Sequence, residues 1–209
     1  GTTALAWLIL PRDSLEYWTH TLRETGRIGN HEYALNQSIN GLLYRFGLRT
    51  DDSSSLLWVV LVCVSLAVIT FVMIKLLEAQ APVVALCVNS LFALLASPIS
   101  WNHHWSWAPV LLVALACYAI ADPTSPLATP RWLWVALVAL GFAAFAFEPT
   151  AFVPFQEQRE FEWNAWQALL GNSYLWWTIL ALLVMTVRLA LYHGKTSDKT
   201  PVSEASAGA

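Results

Sequence analysis

The run from Leu56 to Leu77 constrains this chain more than any other stretch. It is apolar, carries no charge before Lys75, and exceeds the roughly 20 residues a helix needs to cross a bilayer. Backbone in lipid must satisfy its own hydrogen bonds, so such a run folds as a helix. Further apolar runs at Val83 to Ala96, Pro109 to Ala121, Trp132 to Phe147 and Asn172 to Tyr192 are parted by polar turns and loops. With 57% hydrophobic and 12% charged residues and a mean hydropathy of +0.52, the chain is too apolar for an ordinary soluble domain. The expected class is all-α, a polytopic membrane helix bundle with about five full spans. Thr2 to Leu10 is too short to cross and reads as the end of a truncated span. With no basic leader segment, this fits the carboxyl-terminal part of a longer protein, whose missing amino-terminal part would be a partner.

Charge excludes one class of partner. The net charge is −3, and the basic residues form no patch on which nucleic-acid binding could rest. Cys63, Cys87 and Cys117 lie in apolar runs without CxxC or Cys/His spacing, so they read as small buried apolar residues. No cofactor motif is present and no carboxylate cluster suits a divalent cation, so neither a cofactor nor a metal is expected.

The longest polar segment runs from Pro11 to Ser55 and holds five of the eleven Lys and Arg residues. Asp13, with Glu16 three positions on, predicts a helix cap, and Leu15, Trp18 and Leu22 give a surface helix that Gly26 ends. A second helix is predicted from Leu35, Ile39, Leu42, Leu43 and Phe46. Its opposite face offers Gln37, Asn40, Gly41 and Tyr44, flanked by Ser38 and Arg45, a mix suited to binding a sugar and a phosphate.

Ser97 to Trp107, reading S-P-I-S-W-N-H-H-W-S-W, joins two of the apolar runs. Ionisable groups at a membrane edge are costly to dehydrate, which marks His103 and His104 as candidate functional residues. The plainer alternative is that they cap a helix while the tryptophans form an interfacial belt. Pro98 stops the preceding helix and Pro109 falls in the first turn of the next, so both histidines sit near a helix amino terminus that favours an anion.

Counting crossings places the loop 11–55, the turn 97–107 and the loop 148–171 on one side, with 193–209 a disordered tail on the other. If the basic residues of the first loop serve a substrate, Arg159 outside stands against Lys75, Arg131, Arg188, Lys195 and Lys199 inside. The positive-inside rule then makes the tail cytoplasmic and the polar face extracytoplasmic, in a multi-pass plasma-membrane protein whose helices also contact membrane lipids.

Two motifs carry a resemblance. N-Q-S-x-x-G-x-x-x-R, here Asn36, Gln37, Ser38, Gly41 and Arg45, is followed about sixty residues later by S-P-I-S-W-x-H-H, here Ser97 to His104. Together they resemble the polyprenol-phosphate-mannose-dependent alpha-1,2-mannosyltransferases of actinobacteria, glycosyltransferase family 87, with the GT-C membrane fold over residues 1–192. The resemblance implies transfer of mannose, with inversion, from polyprenyl phosphate mannose to a lipid-anchored mannoside in cell-envelope lipoglycan synthesis. It implies that the catalytic base is an aspartate upstream of this chain, with Asp13, Glu16 and Glu148 on the same side as local alternatives, and that His103 and His104 face the donor phosphate or the acceptor hydroxyls. Arg45 is the expected phosphate partner, backed by Arg27. Asn36, Gln37, Ser38, Asn40 and Asn102 are expected substrate contacts, and Trp101 and Trp105 expected stacking surfaces.

Two alternatives stand beside it. A lipid-linked arabinosyl transferase would use the same chemistry, since nothing here reads the C5 substituent of the sugar. A transporter or flippase would need polar residues at mid-span, whereas Leu56 to Met73 and Pro109 to Ala121 are almost unbroken apolar runs.

Overall fold

The computed structural model describes residues 1–50, 55–121 and 130–191, and every regular element among them is helical. Most of the loop expected between the apolar runs ending at Ala121 and starting at Trp132, and the tail 193–209, lie outside the described residues. The chain opens with α1 (Thr2–Ile9) and α2 (Pro11–Thr19), which break apart at Leu10. Pro11 occupies the first turn of α2, where a missing N–H costs nothing. The predicted Asp13 cap is therefore corrected: Leu10 precedes the helix, and Asp13 lies in its first turn, where its charge meets the helix dipole. Nor does the helix reach Gly26, because 3-10 turns at Thr21–Arg23 and Thr25–Ile28 follow it.

Next comes α3 (Ile39–Arg45), shorter than its apolar stripe predicts, because Ser38 caps it: Gly41 N donates to Ser38 Oγ at 3.1 Å. The expectation of an open polar face is also overturned. Asn40, Gly41, Tyr44 and Arg45 are buried, and Phe46 of the apolar stripe is exposed.

The bundle is formed by α4 (Leu56–Glu78), α5 (Pro82–Ala96), α6 (Trp107–Ala121) and α7 (Arg131–Phe147), followed by short α8 (Ala165–Gly171) and long α9 (Ser173–Ala190). Consecutive helices from α4 to α7 pack as neighbours, and α9 packs against both α4 and α7. Ile69, Val72 and Leu76 of α4 meet a core that includes Val84, Val88, Leu91 and Leu95 of α5 and Leu175 and Met185 of α9. Where α6, α7 and α9 converge, a Cβ on Gly141 would lie 2.6 Å from the Trp177 Nε1 atom. Glycine admits that indole, which donates to the Leu137 carbonyl at 2.9 Å.

Two helices, α4 and α9, are long and apolar enough to cross a membrane, while α5 and α7 are apolar but shorter. A helix of 15 residues, as in α5, reaches only about 22 Å, less than a hydrocarbon core. The outward side of α4 is apolar, with Leu56, Val60, Val64 and Leu66 exposed, a surface that suits lipid. The cysteine expectation holds for one residue of three: Cys87 is buried, whereas Cys63 and Cys117 point outward from α4 and α6.

Candidate functional site

The two polar motifs meet. Asn36 and Trp101 form an isolated antiparallel bridge, in which Gln37 N donates to the Ser100 carbonyl at 2.8 Å. The Asn36 side chain completes it: its Oδ1 accepts from Ser100 N at 2.9 Å, and its Nδ2 donates to the carbonyls of His31 and Pro98. Asn40 Nδ2 also donates to Pro98 O at 3.0 Å, and the Ser38 hydroxyl donates to Asn36 Oδ1 at 2.9 Å with Pro98 O at 3.3 Å. Pro98 lies just past the end of α5 at Ala96, so these side chains satisfy a carbonyl of the turn that follows the helix. Gly41 has a steric role, since a Cβ there would run into the carbonyl oxygen and side chain of Asn36.

Arg45 extends this knot to the far end of the chain. It donates to Asn172 Oδ1 through Nε at 3.0 Å, and through Nη1 to the carbonyls of Glu32, Tyr33 and Asn36. Burial pulls its pKa down to about 9, against the opposing pull of Glu160 and Glu32, so it remains a cation at neutral pH. Glu160, itself buried, accepts from Ala34 N and Gln156 N. Gln37 donates to the carbonyls of Ala34 and Gly171, both at 2.7 Å, and its Oε1 is buried without a partner. Asn36, Gln37, Ser38, Asn40 and Arg45 are thus all buried and turned largely toward protein groups. Arg45 borders a cavity of about 320 Å³ with Phe46, Glu160, Trp163 and Asn172, which no histidine lines.

The His-His corner is built differently. A 3-10 turn over Asn102–Ser106 leads into α6, leaving both histidine rings exposed, edge to face with centroids 4.4 Å apart. His104 Nδ1 accepts from Trp101 N at 3.2 Å, so the capping role weighed above is real for this residue. That bond fixes the neutral tautomer with the proton on Nε2. Partial burial and the neighbouring His103 lower the His104 pKa in the same sense.

His103 lines a second cavity, of about 430 Å³, with Asn102, Trp105, Phe145, Glu148 and Tyr174 among its walls. Trp105 is buried, 2% exposed, and stacks on Phe145, so it is a cavity wall rather than an interface anchor. Trp101 is half-buried and meets Tyr33 edge to face at 5.4 Å. Arg27 is exposed on its 3-10 turn and lines neither cavity. Asn102 Nδ2 reaches Thr150 Oγ1 at 3.4 Å. Glu148, Tyr174 and Phe145 carry no motif, and the last two sit inside apolar runs, so hydropathy alone passes over them. The one available signal was a carboxylate closing an apolar run just before a proline. Among the described residues, no three His, Cys, Asp or Glu side chains are placed to hold a metal ion.

Comparison with known proteins returns the family that the two motifs resemble. The model of glycosyltransferase family 87 matches residues 1–98. A Mycolicibacterium smegmatis protein, a polyprenol-phosphate-mannose-dependent alpha-(1-2)-phosphatidylinositol mannoside mannosyltransferase, is 37% identical over 87% of this chain and 40% of its own length. The protein of that description from Mycobacterium tuberculosis is 33% identical over 98% of this chain and 46% of its own length. A third relative, the alpha-(1-2)-phosphatidylinositol pentamannoside mannosyltransferase of M. smegmatis, is 32% identical over 68% of this chain and 34% of its own length. The chain spans less than half the length of these curated relatives. No solved structure matches it.

Proposed function

We propose that this chain is the catalytic-corner portion of a family 87 membrane glycosyltransferase with a GT-C type fold. The enzyme moves mannose from polyprenyl phosphate mannose to a hydroxyl of a lipid-anchored mannoside, such as a phosphatidylinositol mannoside, forming an alpha-1,2 linkage with inversion. Residues 1–192 are its membrane domain, with α4 to α7 and α9 as five spans and the short α5, α6 and α7 sheltered by protein at their ends. The loops 11–55 and 148–171 and the turn 97–107 share the extracytoplasmic face, and the tail 193–209 is cytoplasmic.

One observation carries this reading. A buried polar knot clamps the segment before the histidines, while His103 and His104 themselves stay exposed, His103 lining a cavity. Inversion is a single displacement: the acceptor hydroxyl gives its proton to the aspartate base that the resemblance implies, its oxygen attacks the anomeric carbon as that carbon's bond to the phosphate oxygen breaks, and the phosphate leaves with the electron pair. Stabilising that developing charge needs donors fixed in advance. His104 Nε2–H is such a donor, held by the Trp101 amide behind it, and His103 donates in either protonation state. Arg45, charged but buried about its own partners, acts on the phosphate only through its field and through the position of the loop.

Replacing His103 and His104 separately by alanine and assaying transfer from polyprenyl phosphate mannose in membranes tests the proposal. At least one variant is expected to lose most activity while inserting normally. Wild-type rates in both would end it.

A further inference from the structure

The cavity that Arg45 borders brings two buried, opposite charges to one space. Arg45 and Glu160 both line it, 6% and 2% exposed, and among the described residues no ion pair joins them. Each also has a bonding position unfilled. Glu160 takes the amides of Ala34 and Gln156 on Oε1, and its Oε2 has no hydrogen-bond partner among the described residues. Nη2 of Arg45 carries two N–H groups and donates only to Asn172, so one of them is unmatched there as well. Burial holds the Arg45 pKa down to about 9 although Glu160 and Glu32 pull it up, so the protein's own carboxylates do not fully offset the dehydration of the cation. Buried charges are ordinarily paired, and these two instead share a cavity of about 320 Å³.

The charges decide among ligands. A lone anion would meet Glu160, and a lone cation would meet Arg45. A neutral polyol would satisfy the hydrogen bonds and leave both charges uncompensated. A zwitterion answers both, its anion on the guanidinium and its cation on the carboxylate. The ring of Trp163, 5.9 Å from Arg45 Cζ, is a further surface for a cation. Oε2 needs an N–H donor, which a primary ammonium has and a trimethylammonium lacks.

Position in the fold gives the source. Asn172 lines the cavity just before Ser173, where α9, long and apolar enough to span, begins. The end of a span lies at the depth of lipid headgroups. Phe46 and Phe161, each about half exposed, also line the cavity and give it an apolar rim.

We propose that this cavity binds the headgroup of an ethanolamine phospholipid, its phosphate on Arg45 and its ammonium on Glu160, as a lipid ligand separate from either substrate. Glu160 selects the headgroup. The lipid joins the first loop to the start of α9, away from the cavity that His103 lines. The site depends on α9 lying in the bilayer and not on the mannosyl-transfer reading.

Melting of purified, delipidated protein in detergent tests it. Saturating phosphatidylethanolamine is expected to raise the melting temperature by about 5 °C or more, as a ligand well above its Kd does in a chain of this size. Phosphatidylcholine and phosphatidylglycerol with the same acyl chains should raise it far less. Glu160→Gln keeps an oxygen for the amides of Ala34 and Gln156 and removes the charge. In that variant the preference should reverse toward phosphatidylglycerol, because Arg45 then carries the charge of the cavity wall. Equal protection of the wild type by either comparison lipid, or an ethanolamine preference that survives Glu160→Gln, overturns the site. Equal protection by water-soluble glycerophosphoethanolamine overturns the lipid as its source. Should Glu160→Gln fail to fold, the ranking of the three lipids on the wild-type protein decides alone. No turnover enters these measurements, so a failure of mannosyl transfer and a failure of the lipid site are read separately.

Discussion

The polar knot around Pro98 and the His-His corner a few residues later contain the same kinds of side chain and treat them in opposite ways. Asn36, Ser38, Asn40 and Arg45 donate to protein acceptors and are buried. His103 and His104 stand in the open, with only the back nitrogen of His104 engaged. A rigid, satisfied network is what holds an exposed pair within hydrogen-bond tolerance of a substrate. Polarity in the sequence thus marks two jobs, and only burial separates them.

Substitutions can break that division. The largest effect is expected at Arg45→Ala, which strips Asn172 Oδ1 and three backbone carbonyls of their charged donor. A loss of about 3 kcal/mol or more follows, read as a fall in folded yield and melting temperature in detergent, with activity lost only alongside the fold. Gly41→Ala drives a methyl into Asn36 and is expected to cost about 2 kcal/mol by the same measurement. Ser38→Ala removes the cap of α3 and one donor to Pro98 O, for about 1 kcal/mol. The alanine variants of His103 and His104 reverse the pattern. Each is expected to change stability by less than about 0.5 kcal/mol, while at least one lowers transfer about a hundredfold, as losing a single preorganised donor does. A histidine variant that unfolds the protein, or an Arg45 variant that folds normally but cannot transfer, would erase the distinction.

The smallest effect is in pH dependence. Partial burial and His103 hold the His104 imidazole below its ordinary 6.5, so the unfolded chain takes up its proton first as pH falls. Stability is full above 6.5 and declines on acidification until the folded-state value is passed. Because the ring is exposed, the decline is a fraction of a kcal/mol, and His104→Asn should flatten it in melting curves taken between about pH 7.5 and about pH 5.

The helices were legible in the sequence because a long apolar run has few other uses: Leu56 to Leu77 became Leu56–Glu78, and Trp132 to Phe147 became Arg131–Phe147. The motifs were legible as places of importance and misleading as surfaces. Helical periodicity sorts α3 into an apolar and a polar face, and the natural reading sends the polar one to solvent or substrate. The fold instead presses that face against the end of α5, through partners 58 to 64 residues away that no local pattern announces. Trp105 was ambiguous for a related reason, since an indole next to a histidine pair reads equally as a stacking surface for substrate or as part of an interfacial belt. Glu148 stood out only as a carboxylate closing an apolar run before a proline, and Tyr174, inside an apolar run, had no pattern at all until the cavity gathered it.

The reach of Arg45 and Gln37 bears on how the molecule is put together. Their partners, Asn172 and the Gly171 carbonyl, lie 127 and 134 residues further along, at the threshold of α9. During synthesis the first loop must therefore wait, unfinished, until α9 has emerged and is in place. The clamp behind the histidines closes as a late step of assembly, and a chain stopped short of that helix would display both imidazoles on a support never tightened.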